Sequence, residues 1–457
     1  MTTLRVLFNL VSVTTIFLCG NSAAQTSLLP QPSSWNDHFG DGVDSDGVWL
    51  VVGDPQDSSE AYFRGSAHIY WNDGQSWNLH QRISPTPVPT AGENIFFGTS
   101  VSIQGGWMLV GAPGDDEVGV NAGAVHVYQL NEDSGLWEEF DKLFSDTPET
   151  NDRLGTGTAI DTNSGLAIAS QLDATFSGEL HPWKINETSW AKLTTIENPI
   201  GETGARFGNA IDLEGTTLIA GTPFEDNGKG SVWILEYNDT IEEFAVQARI
   251  SPDDVVLSPK FGTAVSLFGN TIAVGAPYDG NGEVNGGSTY LFNNNGNGWV
   301  LNDKFQGSST QAGDAFGSSL YLAGTSIVVG SPNHDLQSGD AYVFDVTGTT
   351  AVEILELLPH DPVTEGYFGR RCHIANDTVF VSALGFSHTP LHSGKLYLYG
   401  SVILFGDFDH DNDRDISDLL YLIASWGPCQ STCAADLDRN GTVDIDDLLA
   451  FINAWQI

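Results

Sequence analysis

A short motif that returns at almost constant intervals constrains this chain more than any other feature. Its cleanest copy is Phe261–Pro277, FGTAVSLFGNTIAVGAP. Two runs rich in β-branched and apolar residues, Thr263–Leu267 and Thr271–Val274, flank Phe268-Gly269-Asn270, which has the composition of a tight turn. The second run is nearly continuous in apolar residues rather than alternating, the pattern of a strand covered on both faces. Pro277 has no N–H to donate to a ladder, so the strand should stop there.

The motif recurs six more times. Phe39-Gly40 leads to LVVGDP, Phe97-Gly98 to LVGAP, Leu154-Gly155 to LAIAS, Phe207-Gly208 to LIAGTP, Phe316-Gly317 to IVVGSP and Phe368-Gly369 to VFVSA. Positions 39, 97, 154, 207, 261, 316 and 368 are 58, 57, 53, 54, 55 and 52 residues apart, the period of a repeat architecture. After each motif and a variable polar loop comes Gly and an aromatic strand, such as GSAHIYW from Gly65, GAVHVYQL from Gly123 or GSTYLF from Gly287. Most units add a further strand, such as WNLHQRI from Trp77 or WAKLTTI from Trp190. Four antiparallel strands per period describe a propeller blade. One such sheet alone would leave both apolar faces wet, so the expected fold is an all-β, seven-bladed propeller spanning residues 25–403. Either Thr26–Pro30 or Ser401–Leu404 could supply the outer strand of the seventh blade. The third unit is the least regular, with Leu154 for Phe and Ser170-Gln171-Leu172 for Gly-Ala-Pro, and reads as drift in a structural blade.

From about Phe39 to Gly400 the pattern resembles the FG-GAP repeat of integrin α-subunit propellers and many bacterial surface proteins. Several such propellers carry a D-x-D-x-D-G calcium cage after GAP. The loops here read GDDEVGVNAG from Gly114, FEDNGKG from Phe224, YDGNGEVNGG from Tyr278 and NHDLQSG from Asn333, so no calcium is expected in the propeller. Insertions after GAP, at Ser58–Arg64 and Gly114–Asn121, put the candidate binding loops on one rim.

Composition changes at Gly406, where Asp-rich loops alternate with short amphipathic runs over residues 404–457. The first loop offers Asp407, Asp409, Asp411, the Asp413 carbonyl, Asp415 and Asp418; the second offers Asp436, Asp438, Asn440, the Thr442 carbonyl, Asp444 and Asp447. Oxygens at positions 1, 3, 5, 7, 9 and 12 of a loop are the donor set of hard Ca²⁺. Leu419, Leu422, Ile423 and Trp426 then fall at i, i+3, i+4 and i+7, as do Leu448, Phe451, Ile452 and Trp455, 29 residues later. This tandem resembles a type I dockerin, an α-helical paired calcium-loop (EF-hand-like) module that attaches proteins to cohesin domains. The resemblance implies two Ca²⁺ ions and a cohesin-like or other surface partner. Positions 10 and 11 of the loops, Ile416-Ser417 and Ile445-Asp446, differ from the Ser/Thr contacts common in dockerins.

The net charge of -42, with only 17 Lys and Arg, argues against nucleic acid as a partner. Residues 1–24 have the form of a cleavable secretory signal: Arg5, an apolar core at Val6–Leu18, and Ser22-Ala23-Ala24 before Gln25. The apolar run is short for a membrane span, so the expected product is exported or held at the cell surface. In an oxidising compartment Cys429 and Cys433 are close enough for a local disulfide, leaving Cys372 unpaired and buried. No H-E-x-x-H, G-x-S-x-G, P-loop or C-x-x-C motif occurs, and the histidines are scattered. These observations favour a non-catalytic binding or adhesion protein whose propeller rim takes a protein or glycan. Membership of a polysaccharide-degrading (glycoside hydrolase) system and a purely structural envelope role are the alternatives.

Overall fold

The computed structural model describes residues 25–33, 37–59, 63–85, 94–173, 175–186, 189–252, 258–280, 284–347, 350–376, 378–386, 393–400, 416–428, 435–437 and 442–454. Seven antiparallel sheets follow one another along the chain. The fifth is representative, with strands Ala264–Phe268, Thr271–Ala276, Ser288–Asn294 and Trp299–Phe305 in spatial as well as sequence order. The first strands of the blades line the axis: Val43–Ser45, Val101–Gln104, Gly157–Asp161, Ile211–Glu214, Ala264–Phe268, Ser319–Ala323 and Phe368–Ala375. Each packs against the next, and the last packs against the first, so the ring is closed.

The continuous apolar runs are explained by burial on two sides. In blade 1, Leu50 and Val52 pack with Phe380, Leu396 and Leu398 of blade 7, whereas Val51 packs with Val101, Ile103 and Val110 of blade 2. Each second strand is therefore core on both faces. The register between third and fourth strands slips by one residue at the same place in five blades, for example between Leu291 and Phe292. Such bulges add twist and help to turn a flat sheet into a wedge.

The Phe-Gly and Gly-Ala-Pro elements interlock neighbouring blades. Phe261, with no exposed surface, forms a parallel bridge to Gly230 of the preceding blade, and five other blades repeat that bridge. The carbonyl of Gly317 in blade 6 sits 2.0 Å from where a Cβ on Gly275 of blade 5 would lie, so only glycine admits this approach. Ser170 and Ser382 replace that glycine in blades 3 and 7.

The ring is closed by Gln25–Leu28, which pairs antiparallel with the third strand of blade 7 from Gln25↔Tyr399 to Leu28↔Leu396. Residues 401–404, the competing segment, lie outside the described residues. In blade 3 the run expected as one outer strand from Trp190 is broken into Trp190–Lys192 and Ile196–Glu197.

Beyond the propeller lie helices Ile416–Ala424 and Ile445–Ala454 and a two-residue ladder, Gly427–Pro428 with Thr442–Val443. Leu422, Ala435, Leu437, Val443 and Phe451 form a separate small core, with Leu419 and Leu448 packed against it. Only part of the expected apolar stripe is buried: Ile423, Trp426 and Ile452 are exposed, and Trp455 lies outside the described residues. Among the described residues no helix is long and apolar enough to cross a membrane; residues 1–24 are not among them.

Candidate functional site

The loops after GAP are held by charge pairs hidden inside the blades. Two residues beyond the proline position stand Asp57, Asp115, Glu225 and Asp279, all buried. Each meets a base on the fourth strand of its own blade: Asp57–Arg82 at 2.5 Å, Asp115–Lys142 at 2.7 Å, Asp279–Lys304 at 2.9 Å, and Glu225 with Arg249. A third-strand residue supports most of them; Ser66 and Ser231 donate to Asp57 and Glu225, and the Tyr290 hydroxyl donates to Asp279. Blade 6 reverses the arrangement: His334 holds the acid's place and its Nδ1 lies 2.8 Å from Asp314 and 3.6 Å from Asp340. These acids are therefore structural, which fixes the rim on which the loops stand.

That rim carries a second set of side chains, all but Ala315 at least partly exposed. The residue before each Phe-Gly or Leu-Gly has a left-handed backbone: His38, Phe96, Arg153, Arg206, Lys260, Ala315 and Tyr367 have φ between 53° and 64°. Non-glycine residues seldom adopt this conformation, and each instance costs about 1 kcal/mol or more. The turn lets the following Phe reach back to the preceding blade and aims the residue before it at the rim. Across blades 3 to 5 the outcome is an alternating row of cations and rings. Arg153 lies 5.7 Å and Arg206 5.3 Å from the Phe176 ring; Arg206 lies 4.5 Å and Lys260 5.0 Å from Phe224; Lys260 lies 3.9 Å from Tyr278. All are within range of cation–π attraction. None of the six is fully buried, and Tyr278 is 39% exposed.

Where blades 6, 7 and 1 meet on the same face, a cavity of about 400 Å³ is lined by His38, Asp41, Pro332, Asn333, Tyr367, Arg370, Leu384 and Gly385. Its polar groups are already oriented. Gln56 Nε2 donates to His38 Nδ1 at 2.9 Å, the Tyr367 hydroxyl donates to Gln337 at 3.0 Å, and Arg371 Nε donates to the Asp41 carbonyl at 2.7 Å.

Along the axis, side chains on one inner strand accept backbone N–H groups from the next. Asp44 accepts from Ile103, Gln104 from Thr162, Asp161 from Gly215, Asp212 from Leu267, and Ser266 from Leu322, at 2.6–3.1 Å. At the closure, His373 Nε2 donates to the Ser45 carbonyl at 3.2 Å and its ring lies 4.0 Å from Tyr321. Burial pushes Asp44 up to about 7, raises Asp212, and pulls His373 down to about 4. Inter-blade contacts occupy these polar groups, which join neighbouring blades along the axis.

Three segments, residues 90–128, 244–292 and 299–344, match the family described as FG-GAP repeat. The chain carries FG-GAP repeats. Together with the seven blades, six of four strands and one whose outer strand is split in two, the match agrees with a binding role for the propeller. A search of curated proteins finds no significant match. Among solved structures, Saccharomyces cerevisiae Sqt1 is similar at 14% identity, over 80% of this chain and 84% of that one, with a TM-score of 0.46. A protein from Lactobacillus plantarum is similar at 13% identity, over 71% of this chain and 84% of that one, with a TM-score of 0.47. At these values neither bears on activity.

The sequence-expected calcium ligands fall partly within the structure. Asp418, Asp436 and Asp447 are buried, and Thr442 and Asp444 are described. Asp447 accepts the Leu437 N–H at 2.6 Å and the Asp444 N–H at 2.8 Å, which ties the two ends of the second loop together. Asp407, Asp409, Asp411, Asp413, Asp415, Asp438 and Asn440 lie outside the described residues, as do Cys429 and Cys433. Cys372 is free and buried, and burial pushes its thiol up to about 12. Arg153, Arg206 and Lys260 share one offset from Phe-Gly or Leu-Gly, and Phe224 and Tyr278 directly follow the GAP proline, but Phe176 lies four residues past Leu172, so no single repeat position marks the row in the sequence.

Proposed function

We propose that this protein is an exported, non-catalytic binding protein that holds an acidic glycan on its FG-GAP rim and is anchored through its C-terminal module. The cation–aromatic row carries this reading. In a chain of net charge -42, Arg153, Arg206 and Lys260 stand on one face, spaced by Phe176, Phe224 and Tyr278. Ring faces suit sugar rings, and the cations suit carboxylate or sulfate groups, so a polyanionic saccharide meets complementary charge here and repulsion over most of the remaining surface. Titration calorimetry with oligogalacturonate tests it. Binding should weaken at least tenfold in Arg206→Ala/Lys260→Ala and should fall with salt. No binding by the wild type, or equal binding of an uncharged oligoglucoside, refutes the glycan assignment.

Anchoring is supported by two exposed apolar stripes. Ile416, Leu420 and Ile423 on one helix and Ile445, Leu449 and Ile452 on the other are each 44–65% exposed and are related by the same 29-residue shift. Isolated, they are an unpaid exposure of apolar surface; against a cohesin-like partner they form a symmetric docking face. The two acidic loops would hold Ca²⁺ and so make docking calcium-dependent. Far-ultraviolet circular dichroism and pull-down of the full chain with and without chelator test this, and chelator-insensitive docking sinks it.

A further inference from the structure

Because the blades share one template, six of them serve as controls for the seventh. The residue after the GAP glycine is Ala, Gln, Thr, Ala, Ser and Ala in blades 2 to 7, but Asp54 in blade 1. Asp54 has no exposed surface, and neither carboxylate oxygen has a hydrogen-bond partner. His68, equally buried, brings Nε2 to 3.6 Å from Asp54 Oδ2, and its Nδ1 has no hydrogen-bond partner. Asp57 completes the group, with ligand atoms of all three residues within 4.8 Å of one another.

In blades 2, 4 and 5 one buried acid at this position faces a fourth-strand base, and in blade 2 the buried His126 turns instead to Glu139 at 2.6 Å. Blade 1 keeps that pair, Asp57 with Arg82, and sets a second carboxylate, Asp54, beside a third-strand imidazole that blades 2 and 3 also carry as His126 and His181. A buried carboxylate is retained where a counter-charge or a metal meets it. We infer that Asp54, Asp57 and His68 bind a divalent transition-metal ion of the zinc type within blade 1. One nitrogen and two carboxylate oxygens suit zinc and its neighbours, whereas calcium prefers oxygen alone. Ligands at about 2.0–2.1 Å around a tetrahedral ion lie roughly 3.4 Å apart, close to the 3.6 Å between His68 Nε2 and Asp54 Oδ2. Arg82 and Ser66, both bonded to Asp57, would orient that ligand from outside. The ion would fasten the second and third strands of blade 1 beside the ring closure, where Phe39 meets the His68 ring edge-on at 5.2 Å.

The repeat itself supplies the variants. Asp54→Ala restores the residue of blades 2, 5 and 7, and His68→Tyr that of blades 5 to 7. The full-length protein is dialysed against Zn²⁺ in excess Ca²⁺, which occupies the acidic C-terminal loops, and bound metal is counted by elemental mass spectrometry. Wild type should retain one more equivalent of zinc than either variant, and zinc should raise the thermal midpoint of wild type alone. Equal zinc content in wild type and a folded variant overturns the assignment. If neither variant folds, Co²⁺-loaded wild type decides: visible d–d bands of a nitrogen–oxygen tetrahedral site support it, and their absence overturns it.

Discussion

Replacing Gly275 with Ala tests how the blades are joined. A Cβ there would lie 2.0 Å from the Gly317 carbonyl oxygen and 3.0 Å from its carbon, both backbone atoms of the next blade. An ordinary carbon–oxygen contact is about 3.3 Å, so the two blades would have to part by roughly 1.3 Å. A gap of 0.5–1 Å already forfeits about a quarter to a half of each dispersion contact it opens. Phe316, Leu320 and Ile327 pack against Ala264, Ala273 and Leu291 across this interface, so the loss is spread over many atoms. Overpacking typically costs about 1–3 kcal/mol, and with backbone struck the expected cost is about 3 kcal/mol or more. Gly275 is not in a left-handed conformation, so the penalty is steric alone. Gly400→Ala is the control, because its Cβ would meet nothing within 4 Å. Urea unfolding followed by tryptophan fluorescence gives both values. A Gly275→Ala protein within about 0.5 kcal/mol of the control refutes the interlock.

Lys304→Met should destabilise the propeller by about 3–5 kcal/mol in the same assay, because Asp279 is left buried without its partner, and adding Asp279→Asn should recover much of the loss. Asp340 has no exposed surface and burial raises it to about 6. Its folded form binds the proton more tightly than the unfolded form, so its contribution is present below pH 4 and is lost as pH rises to about 6, up to roughly 3 kcal/mol. His334 acts in the same direction: burial lowers it, but Asp314 and Asp340 more than offset that and hold it raised. Asp340→Asn should therefore gain stability relative to wild type between pH 4 and 7, and a pH-independent difference would contradict this. Cys372 should resist iodoacetamide in the native protein and react in urea; rapid native labelling would contradict its burial.

The blade count was legible because Phe, Gly and apolar runs serve the inter-blade contact directly, and seven contacts need seven copies. The closing strand was not, since four residues such as Gln25–Leu28 carry no periodicity that separates them from 401–404. The break after Lys192 was missed because WAKLTTI has ordinary strand composition. Asp57/Arg82, Asp115/Lys142 and Asp279/Lys304 recur at nearly equal offsets of 25, 27 and 25 residues, yet charged residues are read as exposed by default, so composition pointed away from buried pairs. Arg153, Arg206 and Lys260 share one place in the repeat, but the turn that aims them is a backbone property that side-chain patterns do not report.

Native-state hydrogen exchange read on residues 25–33 and 393–400 tests most directly whether the ring is closed by its own two ends. The account predicts that amides of Gln25–Leu28 are protected together with those of Leu396–Tyr399, and to the same degree as the inner strands. Exchange of residues 25–28 at the rate of a free chain, with 393–400 still protected, would contradict it.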